Sequence, residues 1–284
     1  MPPLKLLCLH GYTQSGPLFH AKSRAVIKHL TKALLPTHAV TTTYPTGPIH
    51  LLPSDIPGYD PSSSTSSDET STDSYGWFRR HSTLNPPLYT DLSLGLETIA
   101  QTILSEGPFD GVIGFSQGAA MAAIVASLLE PGREESVSRF LDPKVACAGT
   151  EFEGVAGFEV PRVWWEEVRK VQPELKFAVC YSGFRAPGPR YRGFYEPGVR
   201  TPVLHVLGSL DAVVEEARSR ALIEACQEEG EKVKGMVVAH PGGHFVPAQR
   251  PYLDAVVGFV RDVLEGEKKG EVVEEDVNDM DLPF

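Results

Sequence analysis

The sequence predicts an α/β fold, a mainly parallel sheet with helices on both faces. Three observations lead there. Apolar runs of strand length alternate along the chain with segments of helical apolar spacing. One such run ends in a glycine-flanked serine that opens an alanine-rich helix. The chain has 284 residues, 42% of them hydrophobic and 22% charged, enough to bury a large core as one α/β domain.

The elements follow in order. Residues 4–9 are a short apolar run ending at His10-Gly11, read as a buried first strand and a loop. Residues 23–35 carry Val26, Leu30 and Leu34 at helical spacing. Residues 38–44, rich in Val and Thr, read as a second strand. From about 50 to 74 the chain becomes Pro-rich and then Ser/Thr-rich, and a mobile loop is expected, either a tolerated insertion or a cover for the substrate. Residues 89–105 form an amphipathic helix with Leu92, Leu96, Ile99 and Ile103 on one side. A strand over 109–115 and a helix over 119–129 come next, then a loop at 131–144 and a helix within 149–172. Strands over 177–181 and 202–207, a helix over 215–229, a strand over 234–240 and a helix over 252–264 complete a single domain, 1–264. The acidic tail, 265–284, lacks apolar periodicity and is expected to be disordered. Right-handed crossovers would bring the carboxyl ends of the strands to one edge, where open α/β sheets bind ligands.

Composition excludes some functions. A net charge of −11 opposes binding to phosphate backbones or anionic membranes, so no nucleic-acid partner is expected. No apolar run reaches membrane-spanning or signal-peptide length. Four scattered cysteines lack zinc or redox spacing and read as reduced thiols of a cytoplasmic protein.

The chemistry begins at Gly114-Phe115-Ser116-Gln117-Gly118, a G-x-S-x-G sequence between strand and helix. This is the context of a nucleophile elbow, whose sharp turn lifts the hydroxyl above the sheet in an α/β-hydrolase fold. A serine needs a base held by a third group, and the chain order for this fold is Ser, acid, His. Asp211 follows the strand at 202–207 and is the candidate acid, with capping of the helix near Glu215 as its alternative role. Asp110 stands at the amino end of its strand and falls at the wrong edge. His244, in the turn His240-Pro241-Gly242-Gly243-His244, is the candidate base and His240 its rival, whereas His205 lies within a strand and reads as core. Oxyanion donors are expected from the backbone N–H of Gln117 and of Tyr12, with Thr13 the next choice.

As a set, LCLHGYTQSG at 7–16, GVIGFSQGAAMAA at 111–123, YSGF at 181–184, VLGSLDAVV at 206–214 and HPGGHFVP at 240–247 resemble the FSH-type serine hydrolases. The resemblance runs from about residue 4 to 264, apart from the loop at 50–74. It implies an α/β-hydrolase fold shared with acyl-protein thioesterases and carboxylesterases. It carries nucleophile, acid and base onto Ser116, Asp211 and His244, and the oxyanion loop onto Tyr12. The family's aromatic pair falls on Trp77-Phe78, the second position departing from the Trp common in relatives.

The expected function is cleavage of a carboxylic ester through an acyl-enzyme, without metal or organic cofactor. The alternatives are a thioesterase releasing a polyketide or fatty acyl product from a carrier protein, and a non-catalytic ligand-binding module on the same fold. The partner is therefore a small-molecule or carrier-bound acyl ester or thioester. Trp77, Phe78, Phe184, Tyr195 and Phe245 are candidates for an apolar acyl pocket. The sequence carries no signal of oligomeric state.

Overall fold

The computed structural model describes residues 3–35, 37–56, 73–81, 83–226 and 236–277, with side chains of the last helix described to 266. Most of the expected loop, 57–72, lies outside them, as do 227–235 at the junction of an expected helix and strand. Among the described residues, ten strands and eight α-helices run β1 (Pro3–Leu9), α1 (Gly16–Leu34), β2 (Ala39–Thr43), β3 (Ile49–His50), β4 (Tyr75–Gly76), β5 (Arg79–His81), β6 (Leu88–Thr90), α2 (Leu92–Glu106), β7 (Gly111–Phe115), α3 (Gln117–Leu129), α4 (Arg133–Phe140), α5 (Pro143–Ala146), α6 (Arg169–Val171), β8 (Phe177–Tyr181), β9 (Val203–Gly208), α7 (Glu216–Ala225), β10 (Met236–His240) and α8 (Arg250–Val277).

Six strands form one parallel sheet in the order β10-β9-β8-β7-β1-β2. Its register aligns the carboxyl ends: Leu9 lies beside Gly114, Phe115 beside Tyr181, Tyr181 beside Val206, and Gly208 beside His240. Side chains alternate between two cores. Leu7 and Leu9, Val112, and Ala178 and Cys180 face α2 and α3. Leu6 and Cys8, Ile113 and Phe115, and Val179 and Tyr181 face α1 and α8. A sheet covered on both faces explains why the strand runs are continuously apolar. Every residue of α3 is buried, and its alanines let the helix axis approach the sheet closely.

Several boundaries differ from the sequence reading. Helix α1 starts at Gly16, seven residues before its apolar stripe, because the Ser15 hydroxyl accepts from Leu18 N–H and Pro17 suits the first turn. The 131–144 stretch, read as loop, holds α4 and α5. Gly132 and Asp142, taken as loop residues, instead precede the helices, Asp142 accepting from Lys144 N–H. Within 149–172 only a π-helical turn, Trp164–Val168, and α6 are helical. Helix α8 continues to Val277, so the tail expected to be disordered begins as helix. Its Glu and Lys favour helix intrinsically, which apolar periodicity does not register. Residues 278–284 lie outside the described residues.

Among the described residues the buried acidic and basic side chains, Glu130 and Arg133, are paired with each other. Glu130 accepts from Arg133, from the backbone N–H groups of Arg200 and Thr201 and from the Thr201 hydroxyl, while Arg133 donates to the Pro197 and Gly198 carbonyls. Among the described residues no helix is long and apolar enough to cross a membrane.

Burial keeps the His10 and His205 rings neutral. Burial pushes His10 and His205 from 6.5 down to about 4, in His10 against the opposing pull of the Gly11 carbonyl and the Asp73 charge. The unfolded chain binds protons at these rings near the ordinary value, so their contribution is full above pH 6.5 and lost as pH falls toward 4. Chemical denaturation is expected to show about 3–4 kcal/mol less stability at pH 5 than at pH 7 from this pair. The dependence should flatten by about half in His205→Gln; an unchanged slope in that variant would remove His205 from the account.

Candidate active site

The site is built at the carboxyl edge of the sheet. Ser116 sits between β7 and α3 with φ 53° and ψ −116°, its N–H donating to the Tyr181 carbonyl at 2.8 Å. The glycines on either side are required by contact. A Cβ on Gly114 would stand 2.3 Å from the Gly118 carbonyl oxygen, and one on Gly118 would stand 2.1 Å from that of Leu9. Thr13 (φ 64°) and Ser182 (φ 47°) are also left-handed non-glycine residues, and both lie at this edge. Backbone held in such conformations persists only where its surroundings over-determine it.

Asp211 lies in the loop after β9. That loop is tied to the one after β10 by Ser209 N–H to the His240 carbonyl and Leu210 N–H to the Gly242 carbonyl. One carboxylate oxygen, Oδ1, accepts from Val213 and Val214 N–H at 2.9 Å each. The other, Oδ2, lies 2.8 Å from His244 Nδ1, and His244 Nε2 lies 2.9 Å from Ser116 Oγ. Burial works to raise the Asp211 pKa, but hydrogen bonds from Val214, His244 and Val213 and the nearby Ser182 hydroxyl outweigh it and hold it below the ordinary value. A charged carboxylate fixes the proton on Nδ1 and leaves Nε2 to accept from serine. The imidazole packs against Phe115 at 4.8 Å between ring centres.

The rival residues lie elsewhere. The His240 Nδ1 accepts from Gly242 N–H and the ring packs on Phe245 and Tyr252. Asp110 accepts from Lys5 N–H at the opposite edge of the sheet. Asp211 does not cap α7, whose first position follows Glu215.

The loop after β1 is braced from three sides. His10 donates from Nδ1 to the Gly11 carbonyl and accepts at Nε2 from Gly47 N–H, while Trp77 Nε1–H donates to the His10 carbonyl. Thr13 N–H donates to the Tyr75 carbonyl at 3.0 Å, which commits it and leaves Tyr12 N–H as the candidate donor in this loop. Gln117 begins α3, where first-turn N–H groups have no intrahelical partner. Its side chain has a second task that sequence reasoning missed: Oε1 accepts from Trp77 N–H and Nε2 donates to the Phe78 carbonyl, both at 2.7 Å. Nothing in the pattern of one glutamine after the serine signals that clamp.

The aromatic candidates divide. Trp77 and Phe78, expected to line the acyl pocket, are 0% and 2% exposed. They are core residues, Phe78 stacked on Tyr89 at 4.2 Å, because the Gln117 clamp turns this segment inward. Tyr195 is also buried, its hydroxyl accepting from Ala186 N–H. Phe184 is buried beneath the Arg218 guanidinium, whereas Phe245 is exposed. Two apolar residues that the sequence reading passed over, Leu210 and Val213, are 73% and 64% exposed on either side of Asp211. Large apolar side chains inside the short polar loop GSLDAVVEE were the available signal. Among the described residues no cluster of His, Cys, Asp or Glu could hold a metal ion.

Fold and site together define a serine hydrolase of the α/β-hydrolase class. The family model described as serine hydrolase (FSH1) matches residues 1–256, and the chain belongs to that family. Family of serine hydrolases 3 of Saccharomyces cerevisiae is 29% identical over 98% of this chain and 92% of its own length. Esterase OVCA2 of Bos taurus is 30% identical over 91% and 96%. A Schizosaccharomyces pombe protein named dihydrofolate reductase is 33% identical over 91% of this chain, which spans only 47% of that relative. The acyl-protein thioesterase 2 of Zea mays shares the fold, with TM-score 0.54 and 18% identity over 93% of this chain and 95% of its own.

Proposed function

We propose that the protein cleaves carboxylic esters by a Ser116-His244-Asp211 acyl-enzyme mechanism. The observation that carries this reading is the unbroken relay from Asp211 Oδ2 through His244 to Ser116 Oγ, at 2.8 and 2.9 Å. Ser116 Oγ bonds to the acyl carbon while its proton passes to His244 Nε2. Collapse of the tetrahedral intermediate breaks the ester bond, and His244 returns that proton to the leaving alkoxide. Water then repeats the sequence on the acyl-enzyme, with His244 again as base. The backbone N–H groups of Gln117 and Tyr12 are assigned to the oxyanion, and Asp211 holds the imidazole and stabilises its charged form. Leu210, Val213, Phe184 and Phe245 are assigned to contact with an apolar acyl chain. We assign the reaction to the cytoplasm, an assignment supported by four unpaired cysteines, of which Cys8 and Cys180 have thiols pushed to about 12 by burial.

The test is reaction with a fluorophosphonate probe and turnover of p-nitrophenyl esters of graded acyl length. Labelling is expected, and kcat/KM should rise by up to about four-fold per added methylene while the chain remains in contact. Labelling without ester turnover would transfer the reading to carrier-bound thioesters. Absence of labelling would overturn the mechanism.

A further inference from the structure

A buried carboxamide is costly unless it is hydrogen-bonded, and a methionine of the same length would fill a core position without that cost. Gln117 is 6% exposed and opens α3 directly after the nucleophile. Its Oε1 accepts from Trp77 N–H and its Nε2 donates to the Phe78 carbonyl, both at 2.7 Å. These partners fix the orientation of the amide, since the reverse would set N–H against N–H and oxygen against oxygen.

The clamped segment holds the loop after β1. Two residues before Trp77, Tyr75 accepts from Thr13 N–H and donates to the Gln14 carbonyl, each at 3.0 Å. Trp77 Nε1–H donates to the His10 carbonyl at 2.9 Å, and the two rings pack at 4.9 Å between centres. Gly76 lies between these attachments. A Cβ there would stand 3.0 Å from two carbons of the Tyr12 ring and 3.3 Å from Gln117 Oε1. The Tyr12 ring and the Gln117 amide thus meet across a position with no spare room for a methyl group. The loop is bound to 75–77 on both sides of Tyr12, and 77–78 is bound to Gln117.

We propose that the Gln117 side chain is a positioning residue for the oxyanion hole. It ties the segment that braces the Tyr12 N–H to the helix turn that carries its own N–H, and so sets the spacing of the two donors. The proposal rests on the serine-hydrolase reading above and on its assignment of those donors. Fixed donors stabilise a developing charge only if they are in place before it forms, and a misplacement of about 1 Å can cost roughly 100-fold in rate. A ground-state substrate carries no oxyanion, so the loss falls on kcat rather than on KM.

Gln117→Met keeps the length of the side chain and removes both hydrogen bonds. Titration with a fluorophosphonate counts reactive serines, so that rates refer to competent sites alone. On that basis kcat is expected to fall by about 10- to 100-fold with KM nearly unchanged. A trifluoromethyl ketone reads the hole directly. Ser116 Oγ bonds to its carbonyl carbon, the π pair of the C=O bond becomes an oxyanion, and the serine proton passes to His244 Nε2. Its inhibition constant should rise by the factor by which kcat/KM falls. A merely structural role would lower the number of titrated serines and leave the constant unmoved. Gln117→Glu supplies a second variant with the same shape. Protonated, its carboxyl accepts from Trp77 N–H and donates to the Phe78 carbonyl as the amide does; ionised, it cannot donate. Even a buried glutamate ionises by about pH 10, so the variant-to-native ratio of kcat should rise as pH falls from there. His10, Tyr12, Tyr75 and the His244-Asp211 pair titrate in both proteins, and the ratio isolates position 117. Native-like kcat and ketone inhibition in Gln117→Met, or a flat ratio in Gln117→Glu, overturns the proposal and leaves the hydrolase reading standing. A native protein that neither labels nor turns over ester takes both down.

Discussion

Ser116→Ala is expected to lower kcat by roughly 10⁶-fold and to abolish fluorophosphonate labelling while leaving the fold intact. The relay has no other nucleophile to offer: His244 Nε2 faces Ser116 Oγ, and its other nitrogen is held by Asp211. Removing one oxygen leaves the Ser116 N–H free to donate to the Tyr181 carbonyl and leaves both flanking glycines in place. The residual rate should still exceed the uncatalysed one by about 10³–10⁴ if the backbone N–H groups of Gln117 and Tyr12, which the change leaves in place, hold the oxyanion as proposed. Steady-state kinetics with an activated ester and a thermal melt check both halves. A variant that turns over within tenfold of the native protein would place the chemistry elsewhere.

Gly118→Ala is expected to cost more in stability than a typical core substitution, although it adds only a methyl group. The new Cβ would stand 2.1 Å from the Leu9 carbonyl oxygen and 2.5 Å from that of His10. Both obstacles are backbone at the end of a central strand, and neither can rotate away. Helix α3 would have to lift from the sheet, disturbing a segment in which all thirteen residues are buried. Expected is a loss above about 4 kcal/mol, seen as a Tm roughly 8–16 °C lower, together with loss of activity as the elbow shifts. A Tm within about 2 °C of native would mean that β1 and α3 are not packed as described.

The parts legible in the sequence were those governed by local pattern. Residues 177–181 are a strand as expected because five consecutive buried apolar residues between helices leave few alternatives. Ser116, Asp211 and His244 were locatable because each stands just after a strand, and a parallel sheet brings those positions to one edge. What was not legible depends on contacts between distant segments. The burial of Trp77 and Phe78 has no local signal, because their backbone is held by the Gln117 side chain, forty residues away. The order of Tyr12 before Thr13 as donors carried no local reason for setting Thr13 aside; that reason is the Tyr75 carbonyl, which takes the Thr13 N–H. Leu210 and Val213 were exposed by tertiary placement, which apolar character alone does not foretell. The misread 131–144 stretch failed for a local reason: Gly132 and Asp142 mark both loops and helix starts.

The chain on either side of residues 57–72 is stitched to the loop that follows β1. The Ser15 hydroxyl donates to Asp73, Tyr75 exchanges backbone hydrogen bonds with Thr13 and Gln14, Leu51 N–H donates to the Ser74 carbonyl, and Ile49 pairs with Gly76. Residues 49–56 and 73–76 are thereby anchored to the segment that carries Tyr12, so sequence inserted between the two anchors would begin and end at fixed backbone. The same moorings make the interval a natural graft point beside the reaction centre.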